Sequence, residues 1–187
     1  MKSLLSLSAL IDGVNERVGR TVQWLILLMV IISSGNAVVR YIFSTSSNAW
    51  LEVQWYLFST VFLLCAGYTL LRNEHIRIDV VCGRLSRSKQ IWIDILGTVF
   101  FLFPMVITIM WLSWPMFMKS FLQGEMSGDA GGLLRWPIKL AIPVGFLLLL
   151  IQGVSELIKK IAILTGHIPD PGEHGHHHHT AADGEAA

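Results

Sequence analysis

The sequence predicts an all-α integral membrane protein with four transmembrane helices, both termini in the cytoplasm and an N-terminal amphipathic interfacial helix. Three observations predict this fold. Of the 187 residues, 53% are hydrophobic and only 14% are charged, whereas soluble domains carry about 25% charged residues. Four apolar segments are long enough to cross a bilayer, which takes roughly 20 residues. Basic residues and tryptophans lie where the ends of such segments require them.

The first 20 residues predict an amphipathic helix rather than a cleaved signal peptide. Leucine, isoleucine and valine recur at steps of three and four from Leu4 to Val18, while polar residues occupy the other faces. Asp12 interrupts the apolar run, and no small-residue cleavage site follows it. We therefore expect residues 1–20 to lie on the cytoplasmic membrane surface before the first span.

The four apolar segments form a predicted membrane domain over residues 21–165. The third segment contains Pro104 and Pro115, which predict a kink or a tilt. A histidine-rich tail, residues 166–187, follows the domain and predicts disorder. Its histidines either bind a metal ion weakly or belong to a solvated tail. The predicted spans cover about 21–43, 51–71, 91–118 and 137–158.

The distribution of basic residues predicts the orientation of the spans, because cytoplasmic loops carry an excess of lysine and arginine. The majority flank the N-terminus, the loop between spans two and three, and the end of span four, which places both termini in the cytoplasm. These residues are Lys2, Arg17, Arg20, Arg72, Arg77, Arg84, Arg87, Lys89, Lys159 and Lys160, against Arg40, Lys119, Arg135 and Lys139 on the other side.

Tryptophan positions support the same boundaries, since amphipathic indole rings prefer the membrane–water interface. All of the tryptophans fall near predicted span ends. Trp24 and Trp92 lie near inner edges, and Trp50, Trp55, Trp111, Trp114 and Trp136 lie near outer edges.

Residues that could carry chemistry are scarce. Cys65 and Cys82 are too differently placed to suggest a disulfide or a metal site, and a net charge of +1 gives no reason to expect nucleic acid as a partner. An ionisable residue deep in a membrane marks function by default, but Arg40, Glu52 and Asp94 all lie near span ends. We expect no catalytic residue, no metal and no cofactor.

Polar residues within the spans predict helix packing. Arg40 and Glu52 flank the same short outer loop, so we expect them to pair with each other or with a partner chain. Asn36 is the most costly of the uncharged residues to bury, and a hydrogen bond to a neighbouring helix is its expected solution. The spans show no inverted repeat and no glycine-broken helix pair, which a transporter acting alone would need. We infer that substrate and coupling ion bind another chain.

Three alternatives have different requirements. A haem- or quinone-linked respiratory membrane anchor would hold haem between facing histidines, but only His75 lies outside the tail. A small drug exporter would need a buried carboxylate, and Glu52 lies too near a span edge. A structural membrane protein outside transport is the third alternative.

Three segments carry a resemblance to a known family. They are SNAWLEVQWYLF at 47–58, LRNEHIRIDV at 71–80, and the stretch 124–146, which runs from GEMSGDAGG to LAIPVGF. In this order and on this topology they resemble the small, DctQ-type membrane subunit of tripartite ATP-independent periplasmic (TRAP) transporters, in particular the branch labelled for mannitol or chloroaromatic compounds. The resemblance covers roughly residues 18–166.

The resemblance implies a non-enzymatic scaffold subunit in a bacterial inner membrane. It implies a large multi-span permease subunit as partner, with substrate and sodium sites, and a periplasmic substrate-binding protein that delivers an organic acid. Membrane lipids would contact the basic loop between spans two and three. The candidate subunit-interface residues are Arg40, Trp50, Glu52 and Trp55 at the outer ends of the spans, and Arg72, His75 and Asp79 at the inner end of span two.

Overall fold

The computed structural model describes residues 1–45, 47–72 and 85–169, which form five α-helices. A π-helical turn, Thr98–Leu102, joins α3 to α4, so that these two helices make one continuous span. Four helical segments are long and apolar enough to cross a membrane, which confirms the prediction of an all-α protein with four candidate spans. The helices are α1 (Lys2–Phe43), α2 (Asn48–Arg72), α3 (Arg87–Gly97), α4 (Phe103–Gln123) and α5 (Trp136–Leu164).

The N-terminal segment is not a separate helix, because α1 continues without a break from Lys2 into the first span. No proline interrupts this stretch, and Gly19 packs closely against the ring of Tyr68 instead of ending the helix. The face of residues 1–20 that turns toward the other helices carries Ser8, Ile11 and Asn15, whereas leucines such as Leu10 are exposed. This buried face therefore mixes polar and apolar residues. The interfacial position of this segment stays a prediction.

The π-helical turn lies directly before Pro104. Proline has no backbone N–H, and its ring clashes with the carbonyl group four residues earlier. A wider turn relieves this conflict. The Phe103 N–H group accordingly donates to the carbonyl of Thr98, five residues back. The local distortion expected from Pro104 thus takes the form of one π-helical turn within a long span.

The helices form an open arrangement in which α5 is central. α5 packs against α2, α4 and the N-terminal half of α1, and α2 also packs along α1. α1 and α4 have no substantial contact with each other. A third of the most apolar window of α5 is buried, compared with 6% for each of the other three spans. Large faces of α1, α2 and α4 are therefore left uncovered by this chain.

Glycines on two faces of α5 permit its close contacts. A Cβ atom at Gly145 would lie 2.6 Å from the backbone oxygen of Leu63 in α2. A Cβ atom at Gly153 would lie 2.8 Å from the ring of Phe103 in α4. Without a driving force from water, membrane helices associate through such close backbone approach. Gly145 and Gly153 therefore explain how both α2 and α4 pack closely against α5.

Candidate functional site

Polar side chains collect at the two ends of the helices. We call the end that holds residues 44–45 and 124–135 the hairpin end. The end that holds the N-terminal half of α1 and the C-terminal half of α5 is the termini end.

The loop between α4 and α5 is a short ordered hairpin. Gly124 ends α4 in the left-handed conformation, at φ 57°, as glycine does without steric cost. Met126 and Leu134 then face each other in an antiparallel bridge. The Ser127 N–H group donates to the Leu133 carbonyl at 2.9 Å. Residues 124–135, named the hairpin below, therefore have a defined backbone.

One face of α2 holds the hairpin in place. Glu52 is buried, and its carboxylate accepts hydrogen bonds from the Ser127 hydroxyl and, at 2.6 Å, from the Leu133 N–H group. The Asn48 amide donates to the Ala130 carbonyl at 3.2 Å, and the Tyr56 hydroxyl donates to the Leu134 carbonyl at 3.0 Å. These α2 residues are spaced four apart, so they share one helix face. They bind three of the hairpin's backbone groups.

Arg40 does not pair with Glu52. The Glu52 carboxylate turns toward the hairpin, whereas Arg40 is exposed near the end of α1 and has no ion-pair partner among the described residues. We expect Arg40 to pair either with Glu52 or with a partner chain. Because Glu52 is engaged by the hairpin, pairing with a partner chain stays the prediction. Trp50 and Trp55 are also exposed, at 53% and 43%, and the Trp55 ring stacks edge-on against Tyr56 at 4.4 Å. Their predicted interface role stays a prediction.

An ion pair between Lys139 and Glu125 fixes the base of the hairpin. Lys139, in the first turn of α5, donates to the Glu125 carboxylate. This hydrogen bond, together with the positive charges of Lys139 and Arg135, holds the pKa of the Glu125 carboxyl below its ordinary value. The Glu125 backbone carbonyl accepts a further hydrogen bond from Arg135 at 2.8 Å. Glu125 is thus engaged within the chain rather than free on the loop.

The termini end contains a polar cluster between α1 and α5, which we call the clasp. The Asn15 amide donates to Gln152 Oε1 at 2.9 Å, and Gln152 Nε2 donates to Asp12 Oδ1 at 2.9 Å. Ser155 donates to the same Asp12 oxygen at 2.6 Å and contacts the Ser8 hydroxyl at 2.7 Å. Asn15, Gln152 and Ser155 are fully buried. The clasp binds the N-terminal half of α1 to the fourth span.

Ion pairs surround the clasp and include one predicted residue. Lys159 lies 3.2 Å from Asp12, and Lys160 lies 2.8 Å from Asp94, which ties the third span to α5. Arg72, at the end of α2, contacts Glu16 of α1 at 3.0 Å. Arg72 therefore binds within the chain, and its interface role stays a prediction. His75 and Asp79, the other two candidates at this end, lie outside the described residues.

The sequence reading missed Asn15, Gln152 and Ser155. Gln152 is the single amide side chain in the predicted fourth span, and the cost of burying it was the available signal. Asn36 carries the same signal, and we expect a hydrogen bond to a neighbouring helix, but none of the described residues of this chain supplies it. Asn36 instead lines a groove on α1 that also includes Trp50.

The polar contacts at both ends hold parts of this chain to one another. In the described ranges, no three histidine, cysteine, aspartate or glutamate side chains lie close enough to hold a metal ion. The carboxylates of Asp12, Glu52 and Glu125 are each committed to hydrogen bonds within the chain. What the site does is fix the hairpin at one end of the helices and the N-terminal half of α1 at the other.

Comparison with known proteins identifies the family. The profile described as "Tripartite ATP-independent periplasmic transporters, DctQ component" matches residues 29–162, well over half of the chain. The match extends from the middle of the first span to the last turns of α5. No curated protein matches the chain.

Proposed function

Because the chain belongs to the DctQ component family of tripartite ATP-independent periplasmic transporters, we propose that it is the scaffold subunit of a sodium-coupled, binding-protein-dependent importer of an organic acid. The family is that of a small membrane subunit of a transporter, not a class of enzyme. Four apolar helices place such a subunit in the inner membrane as a multi-pass protein. A respiratory haem or quinone anchor is not favoured by this family.

The observation that carries the proposal is the position of the charged residues. Each span has a long stretch without any charged side chain, and the charges lie beyond it. At the termini end, side chains such as Asp12 and Lys159 bind one another, and at the hairpin end Glu52 and Glu125 are engaged in the same way. A path for a carboxylate and sodium needs polar groups at mid-membrane. The charge-free stretches are 21–39, 53–71, 95–118 and 140–155.

We assign substrate and sodium binding to a large multi-span permease subunit and substrate capture to a periplasmic binding protein. Arg40, Trp50 and Trp55 are exposed at the hairpin end and are proposed to face one of these partners. Membrane lipids are proposed to contact the rest of the exposed apolar surface. Glu52 contributes indirectly, because it fixes the hairpin that stands beside these residues.

The hairpin end is proposed to face the periplasm. The termini end carries the larger share of the basic residues, which favours the cytoplasm. Alkaline phosphatase fused within the hairpin, after Gly128, is then active in cells, and the same enzyme fused after Ser86 is inactive. Activity in the opposite pattern would reverse this orientation.

Reconstituted transport tests the function. The chain and the large subunit are co-purified into proteoliposomes, a binding protein is added, and uptake of radiolabelled mono- and dicarboxylates is followed. We expect uptake only when the chain, the large subunit and an inward sodium gradient are all present. Uptake by the chain alone would contradict the scaffold role, and equal uptake without sodium would contradict the coupling.

A further inference from the structure

The half of α1 toward the hairpin end presents an unpartnered face. The buried residues of this helix end at Val22, and none of residues 23–43 is buried. A groove of about 330 Å³ opens on this face. In an open arrangement of helices some exposure is expected, but this face differs in composition from an ordinary lipid-facing surface. The groove is lined by Ile31, Ile32, Gly35, Asn36, Val39 and Trp50.

The polar side chain of Asn36 is poorly suited to contact with lipid acyl chains. It lies seven residues before the end of α1 at Phe43, which at 1.5 Å per residue is about 10 Å from the helix end. Its amide has no hydrogen-bond partner among the described residues, and the side chain is half-buried beside the groove. An amide in hydrocarbon is costly unless it is hydrogen-bonded. Lipid tails offer no donor or acceptor, so a polar group on a neighbouring protein helix would satisfy this amide.

Gly35, next to it, permits no close contact within the described part of this chain. A Cβ atom added at Gly35 would meet nothing within 4 Å, whereas one added at Gly145 would meet the backbone of Leu63. Small residues on membrane helices allow the backbone of a neighbouring helix to approach closely. Gly35 and the exposed Ser34 therefore mark a surface suited to another helix.

Arg40 adds a charge to the same face. It lies four residues beyond Asn36, so the two side chains project from one side of α1. Arg40 is exposed, and among the described residues it has no acidic partner. A helix that covers Asn36 and continues toward the hairpin end would therefore meet a cation one turn later. The complementary helix carries a hydrogen-bond acceptor and then a carboxylate.

We propose that this face of α1 docks a transmembrane helix of the large permease subunit, with an acceptor opposite Asn36 and a carboxylate near Arg40. The inference rests on the proposed function and adds the surface by which the subunits join. A second copy of this chain fits the face poorly. Residues 21–43 contain no acidic residue, so pairing α1 with α1 about a two-fold axis would bring two Arg40 side chains together without a counter-charge.

Site-specific photocrosslinking tests the surface. A benzophenone amino acid replaces Ile31 in the chain co-expressed with its large subunit, and a control replaces Leu112. Both positions are exposed, at 59% and 67%, and lie at similar distances from the hairpin ends of α1 and α4. We expect a crosslink to the large subunit from position 31 and at most a weak one from position 112. The reverse pattern, or a crosslink from 31 to lipid or to a second copy alone, would overturn the inference.

A substitution separates docking from folding. Asn36→Leu removes the amide and keeps an apolar side chain, so we expect roughly threefold to tenfold weaker association with the large subunit and no fall in the unfolding temperature of the free chain. Thr108→Leu, at an exposed position of α4, is the control and leaves association unchanged. Unchanged association of Asn36→Leu, or a destabilised free chain, would count against the docking face. If the unmodified subunits do not associate at all, the proposed function itself fails.

Discussion

The side-chain amide of Asn15 donates a hydrogen bond to Oε1 of Gln152 at 2.9 Å, and both side chains are fully buried although 137 residues separate them in sequence. Gln152 in turn donates to Asp12, so this single side chain of α5 binds two polar residues of α1. The clasp therefore joins the N-terminal half of α1 to α5.

Replacement of Gln152 tests the clasp. Gln152→Leu leaves the Asn15 amide and the Asp12 carboxylate without this partner, and an unsatisfied buried group costs about 1–3 kcal/mol. We expect a lower unfolding temperature in detergent micelles, measured by circular dichroism. Gln23→Leu, at an exposed position of α1, is the matched control and changes little. Equal unfolding temperatures for the two variants would argue against the clasp as a stabilising contact.

Glu52 is expected to control the order of the hairpin. Glu52→Leu removes the acceptor for Ser127 and for the Leu133 N–H group. Hydrogen bonds to a charged group contribute about 1.5–3 kcal/mol, so amide exchange in residues 124–135 is expected to accelerate by roughly tenfold to a hundredfold. Hydrogen–deuterium exchange with mass spectrometry measures this rate. Gln54→Leu, one helix face away, serves as the control, and similar exchange in both would refute the assignment.

Acidification is expected to weaken the base of the hairpin through Glu125. Its pKa is lowered in the folded chain from an ordinary value of 4.5, first by the hydrogen bond from Lys139. A carboxyl with a depressed folded-state pKa stabilises the fold above its ordinary pKa, and this contribution is lost as the pH falls through the lower, folded-state value. The difference in unfolding temperature between wild type and Glu125→Gln should thus be largest near pH 7 and disappear at strongly acidic pH. A difference that grows toward acidic pH would contradict this sign.

Gly145 is expected to be required for the contact between α2 and α5. A Cβ atom there would lie 2.6 Å from the backbone oxygen of Leu63. Moving a helix backbone to relieve this contact costs more free energy than moving a side chain. We expect Gly145→Ala to destabilise the chain by about 1–3 kcal/mol. At Gly97 a Cβ atom would meet nothing within 4 Å, and Gly97→Ala should be neutral or stabilising by up to about 1 kcal/mol, because alanine favours helix. Urea or heat unfolding of both variants in micelles compares them, and equal losses would refute the close-approach argument.

The four spans could be predicted from the sequence because their signal is local. A run of about 20 apolar residues carries its own evidence, and the predicted end of the first span at Phe43 coincides with the end of α1. The junction near Thr21 was different. A change in pattern from amphipathic to apolar predicts two helices there, but no proline interrupts the chain and α1 continues through the junction.

The polar contacts could not be predicted because their partners are distant in sequence. Arg40 and Glu52 are near neighbours across a short loop, which suggested a pair, yet the helix face of Glu52 turns toward residues 127–133. Composition and periodicity report which residues are costly to bury, and they do not report which helix satisfies them. Gln152 and Asn36 illustrate the two outcomes: the first binds within the chain, and the second lines an open groove.

This chain is proposed to be one subunit of a larger transporter, without a transport path of its own. Native mass spectrometry tests this proposal most directly. The tagged chain is co-expressed with its large permease subunit and purified in mild detergent. We expect a complex that contains both chains. Recovery of the chain alone, as a stable unit that transports substrate when reconstituted without the large subunit, would contradict it.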